Sequence, residues 1–231
     1  LPMPLEAPVM TAIFFIEHPS FPAIIMPCRI AFCKSTVQCL DSMGALFYNI
    51  KNRYGEDAMV RKGTEKDIPQ VAAIYEHIHD GEERGTSTVG WIRNVYPTAD
   101  TARAALEAGD LFVMEQEGAV VAAARINKIQ VPVYADVPWR YPDVPDDQVM
   151  VLHTLVVEPA CAGKGYGTAF VGFYEDYARE NGCPYLRMDT NARNQAARNL
   201  YARLGYWEAG IVPCVFNGIP GVQLVCLEKK L

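Results

Sequence analysis

Gly163, Gly165 and Gly167 occupy every second position of the stretch PACAGKGYGTAF, directly before a segment with helical spacing. Glycine has no Cβ, so it admits positive φ and lets another molecule approach the backbone closely. A loop of this kind ahead of a helix turns its N–H groups outward, and the helix dipole favours an anion there. The pattern reads as a phosphate cradle in which Lys164 is either an added charge or a solvated side chain. Just upstream, the apolar run VMVLHTLVV carries His153, whose imidazole titrates near ~6.5 and suits proton transfer.

Two familiar phosphate motifs do not fit. A nucleoside-triphosphate loop ends in Gly-Lys-Ser/Thr, whereas Gly165 and Tyr166 follow Lys164. A dinucleotide fingerprint needs glycine where Thr168 stands, and its first glycine follows the strand without an intervening Pro159. The chain remaining after the loop is also short for a doubly wound sheet.

The elements that must position these residues are readable from Ala58 onward. AMVRK is a short strand. Thr64 and Asp67 have capping-box spacing, Pro69 falls in a first turn, and Ile68, Val71, Ala72, Tyr75 and Ile78 recur at helical spacing. A second helix covers about Thr98 to Ala108. DLFVME and AVVAAARI flank a Glu117–Gly118 turn as a hairpin. A segment between Asn127 and Gln148 holds Pro132, Pro138, Pro142 and Pro145, too many for a helix, and long loops of this kind are usually functional or mobile. A buried strand, the glycine loop, a helix over Thr168–Asn181, the strand YLRMDT, the helix NQAARNLYARL and two last strands complete the order β-α-α-β-β-β-α-β-α-β-β. That order predicts an α/β fold with a mixed sheet flanked by helices. Residues 1–57 hold six prolines and three cysteines and read as an extension of unclear role without its own core, apart from one helix over Val37–Ile50. The catalytic domain is then 58–231, with Met59 as a natural start and 1–57 dispensable.

Bulk composition narrows the partners. Half of the 231 residues are apolar and 21% charged, with a net charge of −6, which argues against a nucleic-acid partner. Seven cysteines without a C-x-x-C pair suggest reduced thiols in a cytoplasmic protein, with neither zinc site nor disulfide framework. VMTAIFFI stops at Glu17, far short of the roughly 18 apolar residues of a membrane span.

From LHTLVVEP through NQAARNLYARLGY the chain resembles the GCN5-related N-acetyltransferase (GNAT) superfamily, strongly over about 148–212 and in element order over 58–147. The matching residues are LVVEP, GKGYG, LRMDT, and Asn194, Ala197, Leu200, Tyr201, Gly205 and Tyr206 of the family's Asn-x-x-Ala-x-x-Leu-Tyr-x-x-x-Gly-Phe/Tyr pattern. The resemblance implies a mostly antiparallel central sheet and acetyl-CoA as cosubstrate, with no metal. Its diphosphate would rest on the amides of Gly163, Lys164, Gly165, Tyr166, Gly167 and Thr168, and its pantetheine arm on the backbone of Leu155 and Val157. Asn194 would bond it or cap a helix. The resemblance also implies Tyr201 as acid for the departing thiolate, against the alternative that it packs on the sheet. It implies Val157 N–H as donor to the thioester oxygen. On an uninterrupted strand His153 points the same way as Leu155 and Val157. It serves as base, as in arylalkylamine acetyltransferases, or as a hydrogen-bonded core residue, with Glu158 a weaker candidate. Ala162 stands where the family has Arg or Gln, which keeps a non-catalytic acyl-CoA-binding module as the alternative function. The acceptor is a small amine, an amino acid or a peptide amine. Glu76, Asp80, Glu82 and Glu83 suit an ammonium group or a solvated helix end. Trp91, Tyr134, Trp139 and Tyr141 suit an apolar amine, a loop anchor or a homodimer contact.

Overall fold

A computed structural model describes residues 37–40, 46–51 and 57–231. The expected role of residues 1–36 lies outside the described residues. Lys34–Leu231 form one compact unit. In chain order its strands are β1 (Val37–Leu40), β2 (Leu46–Lys51), β3 (Asp57–Lys62), β4 (Leu111–Gln116), β5 (Ala119–Asn127), β6 (Val149–Val157), β7 (Tyr185–Asn191), β8 (Trp207–Phe216) and β9 (Ile219–Lys230). Its helices are α1 (Ile68–Glu83), α2 (Ala99–Glu107), α3 (Tyr166–Glu180) and α4 (Gln195–Arg203). From β3 onward the order is the one read from the sequence.

One sheet holds all nine strands in the order β1-β2-β3-β4-β5-β6-β7-β9-β8. Every neighbouring pair is antiparallel except β6 and β7. The single helix expected over Val37–Ile50 is corrected to two strands. Val37, Phe47, Tyr48 and Ile50 favour extended backbone, and Gly44 between them disfavours a continuous helix. The sheet thus runs past the boundary expected at residue 58, because β2 pairs with β3 from Lys51↔Asp57 to Tyr48↔Val60.

Strand alternation sorts the core into two faces. Leu111 and Val113 of β4 meet Val71 and Ile74 of α1 on one face, while Phe112 and Met114 join Phe170 and Phe173 of α3 on the other. A third cluster joins the Pro-rich segment to β6 and β9 through Tyr134, Trp139, Val151 and Leu224. That segment is tied down: Trp139 Nε1 donates to Tyr134 O at 2.9 Å and Arg140 N donates to Glu228 Oε2 at 2.8 Å.

The start of α1 is fixed by Asp67. Thr64 N and Oγ1 both donate to its Oδ2 at 2.8 Å, and Arg61 forks onto both its oxygens while also holding Glu115 of β4. Burial works to raise the Asp67 pKa, but the Arg61 and Thr64 hydrogen bonds outweigh it and leave the carboxyl below its usual range. Among the described residues no helix is long and apolar enough to cross a membrane.

A chain beginning at Met59 keeps β3 from its third residue onward and loses the buried side chain of Ala58. It is expected to fold cooperatively with a Tm lower by about 2–4 °C than a chain beginning at Lys34, as a loss of ~1 kcal/mol implies in a domain of this size. Thermal melts of both chains check this. Failure of the shorter chain to fold would make β1 and β2 an obligatory part of the core.

Candidate active site

The parallel pairing of β6 with β7 runs from Val149↔Tyr185 to Leu152↔Met188 and stops. Beyond it the two strands part, and the gap opens into a cleft of about 1260 Å³ lined by Thr154–Val157, Asp189–Asn191, the glycine loop and one side of α4. Parting leaves backbone groups of β6 without a strand partner on that side. Glu158 N donates to Val121 O at 2.9 Å, which makes Ala122↔Val157 a pair that exchanges no hydrogen bonds. The N–H and C=O of Val157, and by alternation those of Leu155, therefore point away from β5 into the cleft.

A bulge reorders the strand just before this edge. Ala123 opposes Val156 and Arg125 opposes His153, so Thr154 and Leu155 together face Ala124. Thr154 takes φ +52°, unusual for a β-branched residue, and its Oγ1 hydrogen-bonds the Tyr96 hydroxyl. Before the bulge Met150 and Leu152 face α3. After it, Leu155 and Val157 do. The expectation that His153 points with Leu155 and Val157 is corrected for this reason: the extra residue breaks the alternation and turns His153 to the opposite face.

The glycine loop follows a short 3-10 turn, Pro159–Cys161, capped by Glu158 Oε1 on Ala160 N at 3.2 Å. Gly163 has φ +79° and Gly165 has φ +91°, both in the region glycine tolerates best. The first backbone bond inside α3 is Ala169 N to Gly165 O at 3.0 Å. The N–H groups of Gly167 and Thr168 therefore emerge at the helix end, facing the cleft both residues line. Gly167 lies in a tight place, where a Cβ would sit 3.3 Å from Leu200 and 3.7 Å from Val157. The Tyr166 side chain is buried in the core, so only its backbone serves the loop. Lys164 is half-buried and is not among the cleft-lining residues, whereas Ala162 is.

Opposite the loop, α4 presents Asn194, Leu200 and Tyr201 to the cleft. Asn194 Oδ1 caps the helix by accepting from Ala197 N at 3.2 Å. Tyr201 is buried, and its ring meets Tyr206 edge-on at 5.9 Å. Burial first, and the charge of Asp189 second, raise the pKa of its phenol, so it stays protonated at neutral pH. Asp189 is the residue sequence reasoning missed. It is the first residue of β7 beyond the β6 pairing, and its carboxylate is enclosed by protein although partly open to the cleft. Burial lifts its pKa to about 6 against the hydrogen bond from Tyr134, whose hydroxyl donates to Oδ2 at 2.8 Å.

A recess of about 230 Å³ adjoins the cleft and shares Tyr96, Thr154 and Asp189 with it. His153 lines this recess with Arg125 and Asn127, and its Nε2 lies 3.0 Å from Asn127 Oδ1. Burial first, then the nearby Arg125 charge, push the His153 pKa down to about 4.

The other expected wall residues divide. Arg93 hydrogen-bonds Glu76, Asp80 and Glu83, so these three carboxylates already share one guanidinium, and neither they nor Glu82 line the cleft. Glu158 Oε2 is paired with His77 Nδ1 at 2.9 Å. Trp91 lines the cleft, following Gly90, whose backbone lies hard against Asn191. Tyr134 reaches Asp189, while Trp139 and Tyr141 pack on the structural segment against Arg187 and Tyr185 respectively.

Comparison with known proteins gives a consistent assignment of family. Residues 72–206 match the family described as Acetyltransferase (GNAT) family. An uncharacterized N-acetyltransferase, YhfO of Bacillus subtilis (strain 168), is 36% identical over 61 residues, 26% of this chain and 41% of that relative's length. A GNAT-family acetyltransferase structure from Listeria monocytogenes 4b F2365 superposes with a TM-score of 0.62 at 20% identity, covering 79% of this chain and 99% of that one. One from Streptococcus agalactiae 2603 has a TM-score of 0.64 at 18% identity, covering 75% and 95%. The putative acetyltransferase yncA of Salmonella typhimurium, solved with its cofactor acetyl-CoA, has a TM-score of 0.55 at 19% identity, covering 75% and 94%. At these identities the structures share a fold.

The low pKa of His153 has a stability consequence. Above pH 6.5 the imidazole is neutral in folded and unfolded chains alike. As pH falls from 6.5 to about 4, the unfolded chain takes up a proton that the folded chain refuses, so stability is lost. Asp189 acts with the opposite sign, because the folded chain binds its proton from about pH 6 downward and the unfolded chain only near 3.8. Replacing His153→Gln should therefore make the protein more stable relative to the unsubstituted chain as pH is lowered from 6.5 to 4, by up to about 3 kcal/mol. Urea titrations of both chains across that range measure the difference, and a gap independent of pH would contradict it.

Proposed function

The chain belongs to the GNAT acetyltransferase family, and from that premise we propose that it transfers the acetyl group of acetyl-CoA to a primary amine by direct attack within a ternary complex. The observation that carries this reading is continuity: the residues at the start of α3, the unpaired edge of β6 and Tyr201 all line one cleft. The residues present suit the donor at each of these places.

Acetyl-CoA supplies the thioester. The amides of Gly163 and of Gly165–Thr168 offer hydrogen bonds to a diphosphate without a large cationic pocket, a nest of the kind that binds anions through backbone dipoles. Lys164 N is instead engaged by Cys161 O at 3.4 Å. Leu155 and Val157 hold an extended arm by adding it to β6 as a further strand. Val157 N–H, directed into the cleft, donates to the thioester oxygen and favours the charge that grows there during attack. Tyr201, kept protonated by its surroundings, donates to the departing sulfur. His153, neutral at pH 7, stands in the adjoining recess as a lone-pair donor toward the amine.

The alternative, a non-catalytic acyl-CoA-binding module, rests on Ala162 in the loop where the family carries Arg or Gln. Thiol release from acetyl-CoA, measured with n-butylamine, phenethylamine, L-leucine and an alanine-initiated tripeptide, separates the two. Turnover with at least one amine is expected. Tyr201→Phe should lower kcat by about 10²-fold while leaving acetyl-CoA affinity nearly unchanged. Unaltered kcat in that variant removes Tyr201 from the role. Acetyl-CoA binding by the unsubstituted chain without turnover on any amine favours the module.

A further inference from the structure

We infer that the Asp189 carboxylate receives the acceptor's ammonium group, in the recess that adjoins the cleft behind Thr154, and takes its proton before attack. The inference rests on the transferase reading above and assigns the acceptor end of the same site. Among the described residues, Asp189 is the only acidic one lining either the cleft or the recess. The carboxylates nearby are already partnered: Glu158 with His77, Glu76, Asp80 and Glu83 with Arg93, and Asp110 with Arg125. Asp189 has no basic partner among the described residues, and the one hydrogen bond to its carboxylate comes from the Tyr134 hydroxyl. An enclosed charge without a counter-ion is costly, and a cation arriving in the cleft supplies what the protein does not.

Its support is rigid. Tyr134 is buried, its ring meets Trp139 edge-on at 5.1 Å, and Trp139 Nε1 donates back to Tyr134 O. The carboxylate is thereby held at the mouth of the gap between β6 and β7, where it shapes the electrostatics of Tyr201 on the cleft side and Tyr96 on the recess side. An amine nitrogen bound to Asp189 lies where both cavities meet.

The proton balance is complete. An ammonium N–H bond breaks and an O–H bond forms on Asp189, which later releases that proton to solvent. As the amide forms, the nitrogen loses a second proton. It replaces the one that Tyr201 gives to sulfur, so the net products are amide, thiol and one proton. His153 and Asp189 are both unprotonated at pH 7, but the carboxylate holds a proton about 100-fold better, since it titrates near 6 and the imidazole near 4. The groups facing Asp189 are Tyr134 from the Pro-rich segment, Tyr96, Tyr201 of α4, Cys214 of β8 and Cys226 of β9. The burial that raises the pKa of each keeps all five neutral over the relevant range. The recess also holds the neutral His153, and Arg125, whose charge is paired with Asp110.

The test uses the full chain and the best acceptor of the four amines named above. Asp189→Asn should raise the KM for the amine about 10-fold or more and lower kcat about 10²-fold, with acetyl-CoA affinity by calorimetry unchanged. The acid limb of kcat/KM near pH 6 should vanish, and the variant's rate should follow the fraction of free amine as pH rises. Tyr134→Phe removes a donor that favours the ionised carboxylate, so it should keep turnover while moving the limb upward. Retention of the amine KM and of the limb in Asp189→Asn overturns the assignment, as does a parallel loss of acetyl-CoA affinity, which would mark a structural role. Absence of turnover in the unsubstituted chain instead strikes the transferase reading, and the assignment falls with it.

Discussion

Four register pairs join β6 to β7, and the cleft opens beyond the last of them. A β-strand in the middle of a sheet ordinarily has every backbone N–H and C=O engaged, because leaving them unpaired away from water is expensive. Here β6 keeps β5 on one side along most of its length and loses β7 on the other after Leu152. An interior strand thereby acquires an edge, inside the fold and sheltered from other chains. Edges of this kind normally invite unwanted pairing. This one is enclosed between the glycine loop and α4.

Ion pairs brace the sheet on both sides of the gap. Arg61 ties β3, β4 and the start of α1 into one frame through Asp67 and Glu115. On the other flank Arg187 of β7 sits over the Trp139 ring, 3.6 Å from Glu228 of β9, and bonds Tyr141 O and the Gln130 side chain. Burial lowers the Arg187 pKa, against the nearby Glu228 charge. A buried pair of this type is weak evidence for net stability, but removing one partner strands the other. Its consequence here is positional. It pins the Pro-rich segment across β7 and β9 and so carries Tyr134 to Asp189.

Much of this was legible in the residues themselves. The glycine spacing announced a loop of positive-φ residues directly before a helix, and helical periodicity and turn residues gave the element order from β3 to β9. Asn194 and Tyr201 stood out by their place in a recognisable pattern. Other features were hidden for physical reasons. The bulge at Thr154 depends on β5 offering one residue against two, which no local rule in VMVLHTLVV reveals, and it reverses the side on which His153 lies. Asp189 looked like the end of an ordinary strand. Its meaning comes from Tyr134, 55 residues earlier in the chain, and from the absence of a basic neighbour among the described residues. The strands β1 and β2 were obscured because a short apolar run is compatible with either helix or strand until a pairing partner is known.

Trp91, set in the cleft wall against Tyr96, gives the molecule an optical property of its own. The chain has three tryptophans; Trp139 is sealed within the third core cluster and Trp207 stands on the outer strand under Arg140. Only the indole of Trp91 shares its surroundings with whatever fills the gap. Its emission wavelength and intensity therefore register occupancy of that gap directly, while the other two contribute a steady background, and the native chain carries its own fluorophore for following ligand arrival in real time.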